Sequence, residues 1–405
     1  MRAGRERWVL PFATLGFWAC YTMIRPLLAP YATMIGASAL MTGVVVAAQA
    51  VPGALFALPG GAIADRFGNR ITTLLGAAVM ATGGTVMAAT TSVEALIGAQ
   101  ALVGAGGILM WVAIQRAVIT PAGGDTARFA RDRTIAANSL YVSGGLVAGP
   151  LVGGWTAEHF GYRTSFLVFA LLAASLLPVA LAMPGERATT SPPGSEPRRA
   201  TTRDRAWSLA RTPGMAATLL ASFVVLFLLE FRTSFHPLYL DDAGFSPGVI
   251  GVIIAVSAAF GVIARPALPH LSRRFGDPAL LAICLVTGAV TVGAVAFTGS
   301  LPTIFALAAV SGVALGLGQP FLLALVANFT TREERGLGVG MRMVANRSAQ
   351  WICPLILGGL LSIVGFTGGF AAAAALALLL TIAATRRLQR ASGHAGRGPG
   401  DTAGS

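Results

Sequence analysis

The sequence contains no lysine, only three cysteines and just 11% charged residues. An average soluble domain carries about 25% charged residues, so this chain lacks the polar side chains needed to cover a water-facing surface. A soluble globular enzyme is excluded. The 55% apolar content equally excludes a disordered basic protein, despite a formal net charge of +13, because disordered chains are poor in apolar residues. Cys20, Cys284 and Cys353 each fall inside an apolar run without metal-ligand or disulfide spacing, and they read as small packing residues. No GxxxxGK(S/T) loop is there to cradle ATP phosphates, and no HExxH or other catalytic pair lies in the apolar runs. The expectation is a protein that is not an enzyme and needs no cofactor or metal.

What the chain has instead is hydrocarbon-length apolar sequence. Runs of about 18 to 25 residues recur from Trp8 to Thr385, each long enough to cross roughly 30 Å of bilayer core. Breakers between them predict twelve spans, near 9–31, 39–63, 71–90, 95–116, 134–155, 164–183, 214–239, 247–268, 279–299, 302–327, 337–363 and 366–385. The opening MRAGRERWVLPF has the basic-then-apolar order of a signal peptide. Its apolar run is long and lacks a small-residue cleavage site, so an uncleaved first helix is expected. The fold class is thus an all-α membrane protein. Residues 1–183 form one six-helix half, 184–213 a Pro- and Ser-rich cytoplasmic linker, 214–390 a second half, and 391–405 a disordered tail.

The arginines give the orientation. Those before the first span, in the 2–3 and 4–5 connections, in the linker, in the 8–9 and 10–11 connections and in the tail all fall on one side; Arg163 stands alone on the other. Cytoplasmic loops collect Lys and Arg, so both termini and the linker are expected in the cytoplasm, most simply at the plasma membrane. The same rule accounts for the basic pI without nucleic acid as a partner. The halves also echo each other. Pro150 and Pro354 are each followed by a glycine pair, Phe67-Gly68 recurs as Phe275-Gly276, and Gly104 has a counterpart in Gly312. Two related six-helix halves point to a duplicated transporter with its substrate site between them.

The stretch Gly61-Ala-Ile-Ala-Asp65-Arg66-Phe-Gly68-Asn-Arg70, in the 2–3 connection, is the most specific motif. A carboxylate near a helix C-terminus opposes the macrodipole and needs a partner; Gly61 allows close backbone approach and Gly68 a tight turn. The stretch resembles the signature of the major facilitator superfamily, with Ile63 and Asn69 as departures, and the resemblance implies a conformational latch. Its second copy, Leu271-Ser-Arg273-Arg274-Phe-Gly276, puts Arg273 in the acidic place. In the fifth span, Gly145, Gly149, Pro150, Gly153 and Gly154 form a GxxxGPxxGG pattern. Small residues at this spacing let another helix come close, and the pattern resembles the superfamily's antiporter motif, favouring export.

Charge within the spans narrows the chemistry. An Arg at the bilayer centre costs about 2.5–3.5 kcal/mol on insertion scales, so Arg25, Arg232, Arg265, Arg342 and Arg347 should face an aqueous cavity, find partners or snorkel. Arg265 and Arg342 lie nearer the cytoplasmic ends of their spans. Glu230 is the one clearly intramembrane carboxylate. Arg25 and Glu230 both fall about 24–26 Å from the cytoplasmic end of their spans, at about 1.5 Å per residue. They are the expected proton-coupling gate, with a permanent structural ion pair as the alternative. Tyr21, Arg25, Gln49, Trp111, Gln115, Asn138, Tyr141, Arg232, His236, Gln319, Asn346, Arg347 and Gln350 are expected to outline a substrate cavity of mixed polarity.

Two departures from the family pattern matter here. Gln100 stands where proton-linked members carry Arg, and the first span holds no acid, where many exporters of cationic drugs have one. The resemblance implies two six-helix bundles rocking about a central site, in a protein that is a monomer by family default. Its partners would be a small organic solute, protons and the lipid bilayer. Proton-coupled export of a drug-like or metabolite-like solute is the first expectation. Organic-anion transport in either direction, using the arginines, is the second, and a non-transporting receptor the third.

Overall fold

The computed structural model describes the backbone of residues 2–55, 57–119, 127–183, 199–331 and 333–395, with side chains except those of 2–8, 54, 57–62, 64–65, 119, 127–136, 199–203 and 392–395. Among the described residues the secondary structure is helical throughout, without a strand. The helices are α1 (Arg2–Met23), α2 (Arg25–Met34), α3 (Ala39–Ala48), α4 (Ala50–Leu55), α5 (Ala57–Ala89), α6 (Val93–Ile119), α7 (Ala127–Phe160) and α8 (Tyr162–Leu181). They continue as α9 (Arg199–Arg211), α10 (Pro213–Glu230), α11 (His236–Asp242), α12 (Pro247–Ile263), α13 (Leu268–Phe275), α14 (Asp277–Ala294), α15 (Leu301–Asn328) and α16 (Arg335–Ala395). Eight helical stretches among the described residues are long and apolar enough to cross a membrane.

Several breaks follow from local sequence. Pro26 and Pro52 lack the N–H that would bond the carbonyl four residues earlier, and their rings crowd it; helix regularity lapses at Ile24 and Gln49, just ahead of them. Gly68 (φ +79°) and Gly365 (φ +67°) adopt backbone conformations that L side chains rarely take, so α5 and α16 are each two helices joined across a kink. The 337–363 and 366–385 runs therefore part at Gly365. Between α10 and α11, Phe231–Phe235 forms a π-helical turn.

Two segments differ from the sequence expectation. Within the stretch expected to be an irregular linker, Arg199–Arg211 is a helix. Beyond the prolines, RATTRDRAWSLAR is rich in Arg, Ala and Leu, all good helix formers. In the expected disordered tail, α16 runs on to Ala395, and residues 396–405 lie outside the described residues.

By contacts the chain divides into two compact units. The first comprises Met1–Ser191, Thr233–Ala259 and Pro354–Ile363; the second comprises Pro192–Arg232, Phe260–Cys353 and Val364–Ser405. The first is built on a buried cluster that includes Phe17, Met23, Leu27, Tyr31, Met80, Met110, Phe166 and Phe169. There α5 lies against α6 and α8, and α1 against α7. In the second, α14 packs on α15 and α10 on α15, and Phe231 meets Phe370 edge-on with ring centroids 4.7 Å apart.

Candidate functional site

In the first unit, α1 presents Thr14, Phe17, Trp18 and Tyr21 at helical spacing, and the neighbouring α6 answers with Trp111. Phe17 stacks on Tyr21 (centroids 5.9 Å) and on Trp111 (5.8 Å), while Trp18 meets Trp111 edge-on at 5.3 Å. The Arg25 guanidinium lies 5.0 Å from the Tyr21 ring centroid, within cation–π range. Thr14 donates to the Asn138 side-chain carbonyl across 2.7 Å. Among the described residues of this unit, the buried polar atoms without a hydrogen-bond partner include the Trp18 indole N–H, the Gln49 amide nitrogen, the Thr42 and Ser257 hydroxyls and the Gln100 carbonyl oxygen. Gln49 is 7% exposed, and a methyl on Gly104 of α6 would collide with its backbone carbonyl. Gln100 is buried and donates its amide to the Met87 sulfur, whereas Gln115 and Tyr141 are half-buried on α6 and α7.

The glycines of α7 face two neighbours. A Cβ at Gly145, Gly149 or Gly153 would strike the α1 segment from Leu15 to Met23, and one at Gly154 would lie 2.5 Å from the Pro247 carbonyl and 3.0 Å from Gly251 Cα. A Cβ on Gly251 would in turn strike the Pro150 carbonyl. The same arrangement recurs at α3. A Cβ at Gly358 would lie 2.8 Å from the Ala39 carbonyl, and one at Gly43 would strike the Pro354 carbonyl. These are two reciprocal backbone-to-backbone crossings, each built from one Pro-x-x-x-Gly stretch, Pro150–Gly154 in one and Pro354–Gly358 in the other. Close by, the Tyr162 hydroxyl donates to Asp241 Oδ1 at 2.9 Å, joining α8 to α11, and Arg163 donates to the carbonyls of Ala88 and Ala89 at the end of α5. His236, on α11, is buried.

In the second unit Glu230 closes α10 at 1% exposure. The π-helical turn that follows carries Arg232, 7% exposed, which reaches Ser311 Oγ at 3.5 Å. Arg342 donates to both the backbone and side-chain carbonyls of Gln319, and Arg347 to Gln350 Oε1 at 2.9 Å. Arg342 lies seven residues into α16, near its start as the sequence suggested, and is there buried and bonded to Gln319. The Nε atoms of Arg232 and Arg342, the Gln319 amide nitrogen and the Asn346 carbonyl oxygen are buried without partners. Arg25 belongs to the first unit and Glu230 to the second.

Of the latch residues, Arg66 and Arg70 are exposed and Gly68 forms the kink; the side chains of Gly61 and Asp65 lie outside the described residues. Phe17 and Trp18 were missed in the sequence, although they precede Tyr21 by one helical turn. Ser311 carried no signal beyond its place in an apolar run. Among the described residues no group of three or more His, Cys, Asp or Glu could hold a metal ion.

Membrane-length helices without a strand among the described residues, with arginines and amides buried between them, define a polytopic membrane protein of the transporter kind. The chain belongs to the Major Facilitator Superfamily, whose family model matches residues 10–279 and again 233–402. It is 23% identical over 352 residues to Multidrug resistance protein 2 of Bacillus subtilis, covering 84% of each chain. It is likewise 23% identical over 346 residues to Quinolone resistance protein NorA of Staphylococcus aureus, covering 84% of this chain and 86% of that one. Among solved structures, the fold matches nucleoside transporter NupG with a TM-score of 0.80 at 14% identity, covering 94% of this chain and 99% of that one. A POT family transporter in complex with 5-aminolevulinic acid matches with a TM-score of 0.76 at 14% identity, covering 95% and 96%. The family and these neighbours are transporters, not enzymes.

Proposed function

We propose that this protein is a proton-coupled exporter of a drug-like or metabolite-like organic solute, working by alternating access in the plasma membrane with both termini cytoplasmic. In this reading its helices make twelve spans in two pseudo-symmetric six-helix bundles, the chain acts as a monomer, and Gly61, Asp65, Arg66, Gly68 and Arg70 form the latch. The observation that carries the coupling is Glu230. It is 1% exposed at the end of an otherwise uncharged apolar helix, and an ionisable group in such a place marks a proton or substrate path. The adjoining π-helical turn is a backbone irregularity that recurs at functional sites. Export is supported by the resistance activities for which the two bacterial relatives are named.

The test uses proteoliposomes enclosing a pH-sensitive dye, challenged with pools of lipophilic cations and organic anions. Solute-induced proton movement is expected, and Glu230→Gln should abolish it. Unchanged proton movement in that variant would refute the coupling. A second reading, organic-anion transport in either direction, is favoured by the buried Arg232 and Arg342 with unpartnered Nε atoms. It predicts that only the anion pool gives a signal.

A further inference from the structure

Helix α9 carries chemistry that the transport reading leaves unused. Between Arg198 and Arg211 the chain has five arginines and a single acid, Asp204. Two residues after Arg211, at Pro213, an apolar stretch of membrane length begins. Two residues span at most about 7 Å, and each headgroup layer of a bilayer is about 5–8 Å thick. The end of α9 therefore lies beside the headgroups of whichever leaflet that stretch enters.

The helix has two unlike sides. Leu209 is 6% exposed and shares a small buried cluster with Met215 and Val326, against which Leu337, Val339 and Met341 pack. That contact fixes α9 to the ends of α10, α15 and α16. Residues two apart on a helix do not face the same way, and Trp207 is accordingly 62% exposed. Arg211, one turn on, is exposed as well and holds its guanidinium 4.7 Å from the Trp207 ring centroid.

An exposed indole beside a span suits the bilayer boundary, where its ring meets acyl chains and its N–H stays wet. A guanidinium over a ring still has in-plane N–H groups to donate to phosphate oxygens. Arginines beside a span also serve its orientation, but orientation needs neither a folded helix nor an indole under the guanidinium. A cluster of basic residues on a helix next to a span is suited to anionic headgroups.

We infer that the face of α9 bearing Trp207 and Arg211 binds the headgroup of an anionic phospholipid. The inference goes beyond the transport reading and does not depend on it. The test is a lipid titration of the full-length purified protein in neutral detergent. The three native cysteines are buried, so Ser208→Cys, an exposed position next to Trp207, takes an environment-sensitive fluorophore. The probes are dioctanoyl phosphatidylglycerol and dioctanoyl phosphatidylcholine, with glycerol phosphate as a soluble phosphate.

Phosphatidylglycerol is expected to bind about fivefold more tightly than phosphatidylcholine, the share of one arginine near an anionic surface. Salt at about 1 M should erase that preference. Arg211→Gln should abolish it, and Arg211→Lys should keep most of it. Arg205→Gln removes the same charge from a different side of the helix and should keep it too. Trp207→Ala should weaken both lipids. Equal binding of the two lipids would overturn the inference. So would equal losses in Arg211→Gln and Arg205→Gln, which would mean diffuse charge and not this face. Glycerol phosphate binding as tightly as phosphatidylglycerol would overturn it in favour of a free-phosphate site.

Discussion

Alanine at two adjacent glycines should have opposite effects on stability. At Gly358, a Cβ would lie 2.8 Å from the Ala39 carbonyl oxygen, 3.1 Å from Gly43 Cα and 3.3 Å from Gly43 N; at Gly359, nothing lies within 4 Å. Ordinary van der Waals contact begins at 3.4 Å, and all three neighbours of Gly358 are backbone, so no side-chain rotation relieves them. The two helices must part by several tenths of an ångström along the crossing, and a gap of that size forfeits part of every dispersion contact nearby. Overpacking of this kind costs about 1–3 kcal/mol, against a gain of about 1 kcal/mol for alanine over glycine in a helix interior. Gly358→Ala should therefore be neutral to about 2 kcal/mol less stable, and Gly359→Ala up to about 1 kcal/mol more stable.

Gly43→Ala, which sets a methyl against the Pro354 carbonyl, should lose more than Gly358→Ala. Gly154→Ala should behave like it at the other crossing. The assay is thermal unfolding of the purified variants in one detergent, beside transport in proteoliposomes. If the crossing must re-form in every cycle, Gly43→Ala should slow transport while Gly359→Ala does not. Equal stability of the Gly358 and Gly359 variants would refute the packing argument.

Other consequences are more local. Tyr162→Phe removes a hydrogen bond to the Asp241 carboxylate, a type worth about 1.5–3 kcal/mol and less here because Tyr162 is only half-buried. Asp241→Asn keeps an acceptor and should cost less, so an unfolding midpoint that ranks the two variants the other way would exclude this bond as the tether between α8 and α11. Cys20, Cys284 and Cys353 are all buried and reduced. Maleimide should label them slowly in the folded protein and all three quickly after SDS, and rapid labelling of the native state would contradict that burial.

Much was legible in the sequence because its signals are local or compositional. Membrane-length apolar runs, the arginine asymmetry and the Gly61–Arg70 stretch pointed to a transporter of this superfamily. The spacing of Gly145, Gly149 and Gly153 marked a face that a neighbouring helix could approach, whereas the breaks ahead of Pro26 and Pro52 went unread inside the expected 9–31 and 39–63 spans. The helix at Arg199–Arg211 was not anticipated, since the prolines before it dominated the reading of a segment whose own residues favour helix.

What the sequence could not supply was partnership. Helical periodicity says that Trp18 and Tyr21 share a face, but it does not say that Trp111, some ninety residues on, supplies the opposing ring, or that the Trp18 N–H is left without an acceptor. Nor could it tell that Arg342 turns to Gln319, or that the α7 glycines serve two different helices, α1 at Gly145–Gly153 and α12 at Gly154. The sequence determined that apolar helices of membrane length must form, because hydrophobic length acts through each segment's own composition. Only the tertiary structure decided which backbones meet at glycine and which buried donors go unmatched, because those depend on packing between segments far apart in the chain.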